Sequence, residues 1–162
     1  MKIYINDEKY RYDVYHIFEL FYSFTQMEFE FESKENCDYI LNVSEKQLSI
    51  ANSEGEEKIF NLESSMTFKH EFRKNMFKYL ESKTSKELPW GILIGIRPTK
   101  IVLDMMDEGF SEEEIIKTLQ EEYFARLDKA KLCISIAKAE RARVNKDPKN
   151  KIGRASCRER VS

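Results

Sequence analysis

The sequence predicts an α+β fold: an antiparallel sheet packed with two helices, followed by a small helical segment. Three observations lead there. Short β-prone runs are confined to the first 62 residues. Two apolar stripes of helical period, near residues 14–22 and 67–83, accompany them. After Pro98 the caps and periodicities are those of helices alone.

Lys2 to Ile5 reads as a strand. Val14, Ile17, Phe18, Phe21 and Tyr22 then recur at i, i+3, i+4, i+7 and i+8, the spacing of a helix with one face on a core. Met27 to Glu32 alternates apolar and acidic residues, as a strand with one wet face does. Tyr39 to Val43 and Gln47 to Ala51 are separated by Ser44-Glu45-Lys46, which suits a short hairpin. A turn at Asn52 to Gly55 leads to a last strand, Lys58 to Leu62. Together these runs predict an antiparallel meander with the first helix on its apolar face.

A longer helix is predicted from about Thr67 to Lys83, its stripe formed by Phe68, Phe72, Met76, Tyr79 and Leu80. Further along, Ile101, Val102, Met105 and Met106 mark the buried side of a short helix after Pro98, which Gly109 ends with a left-handed cap. Ser111 and Glu114 form a capping box for the next helix, with Phe110 and Ile115 placed as its hydrophobic staple. Ile115, Ile116, Leu119 and Tyr123 then face inward. In a final helix from about Asp128 to Arg143, Leu132, Cys133, Ile136 and Ala137 offer a narrow apolar stripe.

The most informative stretch is PWGILIGIRPTKIV, Pro89 to Val102, where an apolar run turns on glycine into Arg-Pro-Thr-Lys. Gly91 and Gly95 allow close backbone approach or positive φ. Pro98 suits the first turn of a helix, where its missing N–H costs nothing. Arg97 and Lys100, beside the free N–H groups of that helix start, would make an anion-attracting corner. The alternative is a strand-to-helix junction with solvated bases.

PWGILIGIRPTKIV, followed by DMMDEGFSEEEIIKTLQEEY and KAKLCISIAKAER, resembles the N-terminal region of the HemZ-type coproporphyrinogen dehydrogenases, also called oxygen-independent coproporphyrinogen III oxidases. The resemblance runs from about Leu88 to Pro148 and, more faintly, back to Met1; its most specific part is Gly-Ile-Arg-Pro-Thr-Lys. The family pattern has threonine where Ile92 and Ile94 stand, so neither place offers a hydroxyl here. The resemblance implies a radical S-adenosylmethionine enzyme of haem biosynthesis, which oxidatively decarboxylates two propionates of coproporphyrinogen III to vinyl groups. It implies a later barrel with a CxxxCxxC motif, whose three thiolates hold a [4Fe–4S] cluster that binds S-adenosylmethionine at its fourth iron. Cys37, Cys133 and Cys157 are spaced far too widely for that motif, so this chain is expected to bind no cofactor and to have the missing barrel as its partner. Gly95, Arg97, Thr99 and Lys100 are the expected contacts to that barrel or to an anionic substrate group.

This resemblance divides the chain into an α+β domain over 1–88, the signature loop with three helices over 89–148, and a tail over 151–162. Ile152 to Val161 match the translation of ATC GGA AGA GCG TCG TGT AGG GAA AGA GTG, a commonly used sequencing adapter, and Lys151 is compatible with the preceding bases. The tail is expected to be foreign and disordered, and the native reading frame to continue past Asn150 into the barrel. Setting aside Lys151, Arg154, Arg158, Arg160 and Glu159 leaves the remainder more acidic than the formal charge of −2 of the full sequence.

No apolar run nears the ~20 residues that cross a bilayer, and no signal peptide opens the chain, so a cytoplasmic protein without a membrane partner is expected. Cys133 reads as a small buried hydrophobe and Cys37 as a turn residue. His16 and His70, each without a second ligand at i+3 or i+4, make no metal pair. Two other functions remain open. One is a stand-alone protein-interaction domain. The other is a nucleic-acid-binding module using Arg126, Lys129 and Lys131, which the net charge and the Glu112-Glu113-Glu114 run oppose.

Overall fold

The computed structural model describes residues 1–23, 26–62, 67–93 and 97–146, with side chains described up to Arg143. Gly95 and the tail at 151–162, with the disorder expected of it, lie outside the described residues.

The fold is α+β. A five-stranded sheet has the order β2-β1-β3-β4-β5, formed by β1 (Lys2–Ile5), β2 (Glu28–Glu30), β3 (Tyr39–Val43), β4 (Gln47–Asn52) and β5 (Glu57–Asn61). The last three strands are the expected antiparallel meander, with Leu41 opposite Ile50 and Leu48 opposite Phe60. The sheet as a whole is mixed, not antiparallel: β1 lies between β2 and β3 and runs parallel to both. The reason is the helix between β1 and β2. A parallel neighbour requires a crossover that returns the chain to the starting end of the sheet, and α1 (Arg11–Phe21) supplies it. The alternation predicted over Met27 to Glu32 is realised as strand only at Glu28–Glu30.

Ile3, Ile5, Leu41, Leu48 and Ile50 are fully buried on one sheet face. Val14, Ile17, Phe18 and Phe21 of α1 cover it, together with Phe72, Met76, Phe77, Tyr79 and Leu80 of α2 (Phe68–Thr84). Asp13 of α1 is buried between the helices, where its Oδ1 accepts from Arg73 Nε at 2.7 Å and pairs with Lys69 at 3.2 Å. Burial of such a carboxylate is tolerated because it is paired and hydrogen-bonded.

The helical segment comprises α3 (Pro98–Asp107), α4 (Glu112–Glu121) and α5 (Leu127–Lys146). Gly109, at φ +91°, closes α3 with a Schellman motif: its N–H donates to the Met106 carbonyl, and that of Phe110 to Met105. The capping box of Ser111 and Glu114 forms in both directions. Val102, Ile115, Leu119, Ala125, Ala130, Cys133, Ile134 and Ala137 make a second core. The apolar stripe expected on α5 needs correction. Ala130, Cys133, Ile134 and Ala137 face inward, while Leu132 and Ile136 are 42% and 41% exposed. The buried set is itself at i, i+3, i+4 and i+7, and its small members let α3 lie close against α5.

Candidate functional site

The signature segment is where the two cores meet. Pro89 to Leu93 is a succession of turns with no strand in it, and the neighbouring Ile92 and Leu93 belong to different cores: Ile92 to the one under the sheet, Leu93 to the helical one. Gly91, at φ +53°, is where this is possible. A Cβ there would lie 1.9 Å from the carbonyl oxygen of Tyr123 and 2.6 Å from the carbonyl carbon of Phe124. The close approach lets Ile92 N–H donate to Tyr123 at 2.9 Å and Arg126 N–H donate to Pro89 at 3.0 Å. Trp90 remains partly exposed, with Lys129 over its ring at 5.5 Å.

The same joint is closed by side chains remote in sequence. Phe124, itself at φ +57°, stacks on Phe77 with centroids 5.1 Å apart. Glu122 at the end of α4 pairs with Lys74 of α2 at 2.7 Å and with His70 at 3.4 Å, and His70 meets the ring of Tyr123 edge-on. The Lys74 hydrogen bond, with a smaller contribution from His70, holds the Glu122 carboxyl below its ordinary range.

Of the four sequence-predicted contact residues, three are described. Arg97 stands before α3; its Nη2 donates to Glu140 Oε1 of α5 at 2.6 Å and its Nε to Thr99 Oγ1 at 3.2 Å, while its side chain stays 67% exposed. Thr99 is buried in the first turn of α3. Lys100 is exposed and 3.8 Å from Asp104. Two bases thus come together at the start of a ten-residue helix, each with a carboxylate partner. Glu140 and Glu122 were not found by sequence reasoning; no local signal marks a partner more than forty residues away. Arg126, considered for nucleic acid, is held in a two-pronged pair with Asp128.

His16 sits partly buried at 3.8 Å from Glu19. Cys133 is buried in the helical core, as predicted, and Cys37 is buried as well, its thiol directed at the carbonyls of Ser33 and Glu35. Burial pushes both thiols up. Among the described residues no group of three His, Cys, Asp or Glu is arranged to hold a metal ion, and no helix is long and apolar enough to cross a membrane.

In comparison with known proteins, no family model matches the chain, and no solved structure matches it. A curated relative does, in agreement with the resemblance read from the signature: the chain is 26% identical, over 158 aligned residues, to the oxygen-independent coproporphyrinogen-III oxidase-like protein HemZ of Bacillus subtilis (strain 168). That similarity takes in 86% of this chain and spans only 31% of the length of HemZ, so the chain is similar to a part of a coproporphyrinogen-III oxidase-like protein.

Proposed function

We propose that this chain is the N-terminal accessory region of a cytoplasmic radical S-adenosylmethionine oxidoreductase of porphyrin biosynthesis, and that the catalytic barrel follows Asn150. The observation that supports it is the similarity to HemZ over most of this chain and a minor share of that protein. In the parent, a [4Fe–4S] cluster with S-adenosylmethionine would supply the radical chemistry on a propionate-bearing substrate. The described thiols here do not fit such a group. A cluster requires thiolates converging on one place, whereas Cys37 lies in the β2–β3 connection and Cys133 in the helical core, both buried and held as thiols.

What this chain contributes is a rigid corner. Arg97 keeps part of its guanidinium exposed while Glu140 and Thr99 fix its direction, and a planar donor fork held in that way suits a carboxylate, whether on substrate or on the barrel. In the full-length parent, Arg97→Ala is expected to lower substrate affinity or barrel association with little loss of fold, because an exposed ion pair contributes only about 0–1 kcal/mol. If Arg97→Ala instead unfolds the protein while activity per folded molecule is unchanged, Arg97 is structural. The reading as a region of a larger protein is tested separately, by sequencing intact genomic DNA outward from the Asn150 codon. The expected continuation is a strand of about 5–6 residues and a turn, then CxxxCxxC. If the DNA instead encodes Ile152 to Ser162 and a stop codon, the chain is a stand-alone interaction domain.

A further inference from the structure

A cleft of about 380 Å³ opens where the C-terminal ends of α1 and α2 meet the β4–β5 turn, and none of the residues of the Arg97 corner contributes to it. Its lining includes Tyr22, Asp38, Tyr39, Glu54 and Lys83. The hydroxyls of Tyr22 and Tyr39 lie 2.5 Å apart, so one donates to the other, and the second phenolic hydrogen of the pair has no acceptor among the described residues. Tyr79 stands edge-on to Tyr39 with centroids 6.4 Å apart, is 2% exposed, and its hydroxyl has no hydrogen-bond partner at all among the described residues. Tyr79 does not line the cleft, so what its wall offers is the part-buried Tyr22–Tyr39 pair, with one phenolic hydrogen left to give.

The rim decides what kind of partner. Lys83 pairs with Glu56 and has further ammonium hydrogens to give. Asp38 uses one carboxylate oxygen on the Lys2 N–H at 2.7 Å and has the other to spare, with Glu54 beside it. The Asn52 amide is used within its own turn, accepting from the N–H groups of Glu54 and Glu56 at 3.2 and 3.0 Å. A simple anion would meet the phenolic donor but be repelled by Asp38 and Glu54. A simple cation would suit the carboxylates and leave the phenolic hydrogen unanswered. We propose that the cleft binds a small zwitterion of the amino-acid class, its carboxylate taken by the Tyr22–Tyr39 hydroxyl pair and Lys83 and its ammonium by Asp38 and Glu54. Burial pushes the Tyr39 phenol up, so it remains a neutral donor at ordinary pH.

The test is a nuclear magnetic resonance titration of the full chain with each of the free amino acids up to about 10 mM, with acetate and methylammonium as single-ended probes. At least one amino acid is expected to give saturable shifts at the cleft that neither single-ended probe gives. Lys83→Gln should weaken that binding about tenfold through the carboxylate alone, since its only pairing among the described residues is with the exposed Glu56. Glu54→Gln, on an exposed turn, should weaken it through the ammonium alone. Acetate binding as tightly as any amino acid would show an anion site and overturn the zwitterion. No saturable binding by any amino acid would overturn the proposal.

Discussion

At the scale of single residues, Gly91 carries the largest consequence. Its positive φ alone would tolerate an asparagine at modest cost, but the Tyr123 carbonyl, 1.9 Å from where a Cβ would sit, tolerates no side chain. Gly91→Ala must therefore push the Pro89–Leu93 turns away from Tyr123 and Phe124, break the Ile92 hydrogen bond and open both cores at once. The expected loss is about 3 kcal/mol or more, measured as a lowered urea midpoint. Gly109 is different: it has positive φ but open space around it, so its replacement strains only the α3 cap. The need for glycine in the signature was legible in the sequence, because glycine interrupts an apolar run chiefly where the backbone must approach a neighbour closely or take positive φ. Glu140, the partner that orients Arg97, was not legible. It is one of many glutamates on exposed helix turns, and only the packing of α3 on α5 selects it.

Elements were legible to the extent that their causes are local. The helix α4 could be read from six residues, since Ser111 and Glu114 satisfy each other's backbone donors whatever the rest of the chain does. The direction of β1 against its neighbours could not. It depends on α1 acting as a crossover, and periodicity says nothing about which edge of a sheet the following strand joins. The inward face of α5 differs from its sequence pattern for a related reason. Leu132 and Ile136 are larger than Ala130 and Ala137, so size favoured them, yet it is the smaller residues that allow close approach of α3 and α4. This orientation makes a testable contrast within one helix. Ile134→Ala should cost about 2–5 kcal/mol through lost burial and a residual cavity. Leu132→Gln should stay within about 0.5 kcal/mol of the parent by the same urea titration. Equal losses at the two positions would show that α5 is rotated from the face described here.

On the scale of the whole molecule, the two cores are held by one joint in which apolar and charged contacts act together: Phe124 on Phe77, the backbone bonds around Gly91, and Glu122 between Lys74 and His70. The joint gives the acid limb of stability a readable origin. Glu122 has its folded pKa below the ordinary 4.5, first through the Lys74 hydrogen bond, so the folded state favours its ionised form more than the unfolded chain does. A carboxylate of that kind contributes stability in full above about pH 4.5, and the contribution fades as the pH falls through the lowered folded value. Asp7, Glu30, Glu114 and Asp128 are depressed as well and act in the same direction, so the wild-type profile alone does not isolate Glu122. The difference between wild type and Glu122→Gln does. That difference should be destabilising at about pH 5 and above, then shrink towards pH 3 as the wild-type carboxyl itself takes up a proton. Trp90, the single tryptophan, sits at the joint and reports the transition by fluorescence, while far-ultraviolet circular dichroism follows all the helices and strands. The two signals are expected to fall together in the wild type, because the cores share Tyr123 and adjacent residues of one turn. A difference that persists unchanged to pH 3 would assign the stabilising effect of Glu122 to packing at the end of α4, and not to its charge.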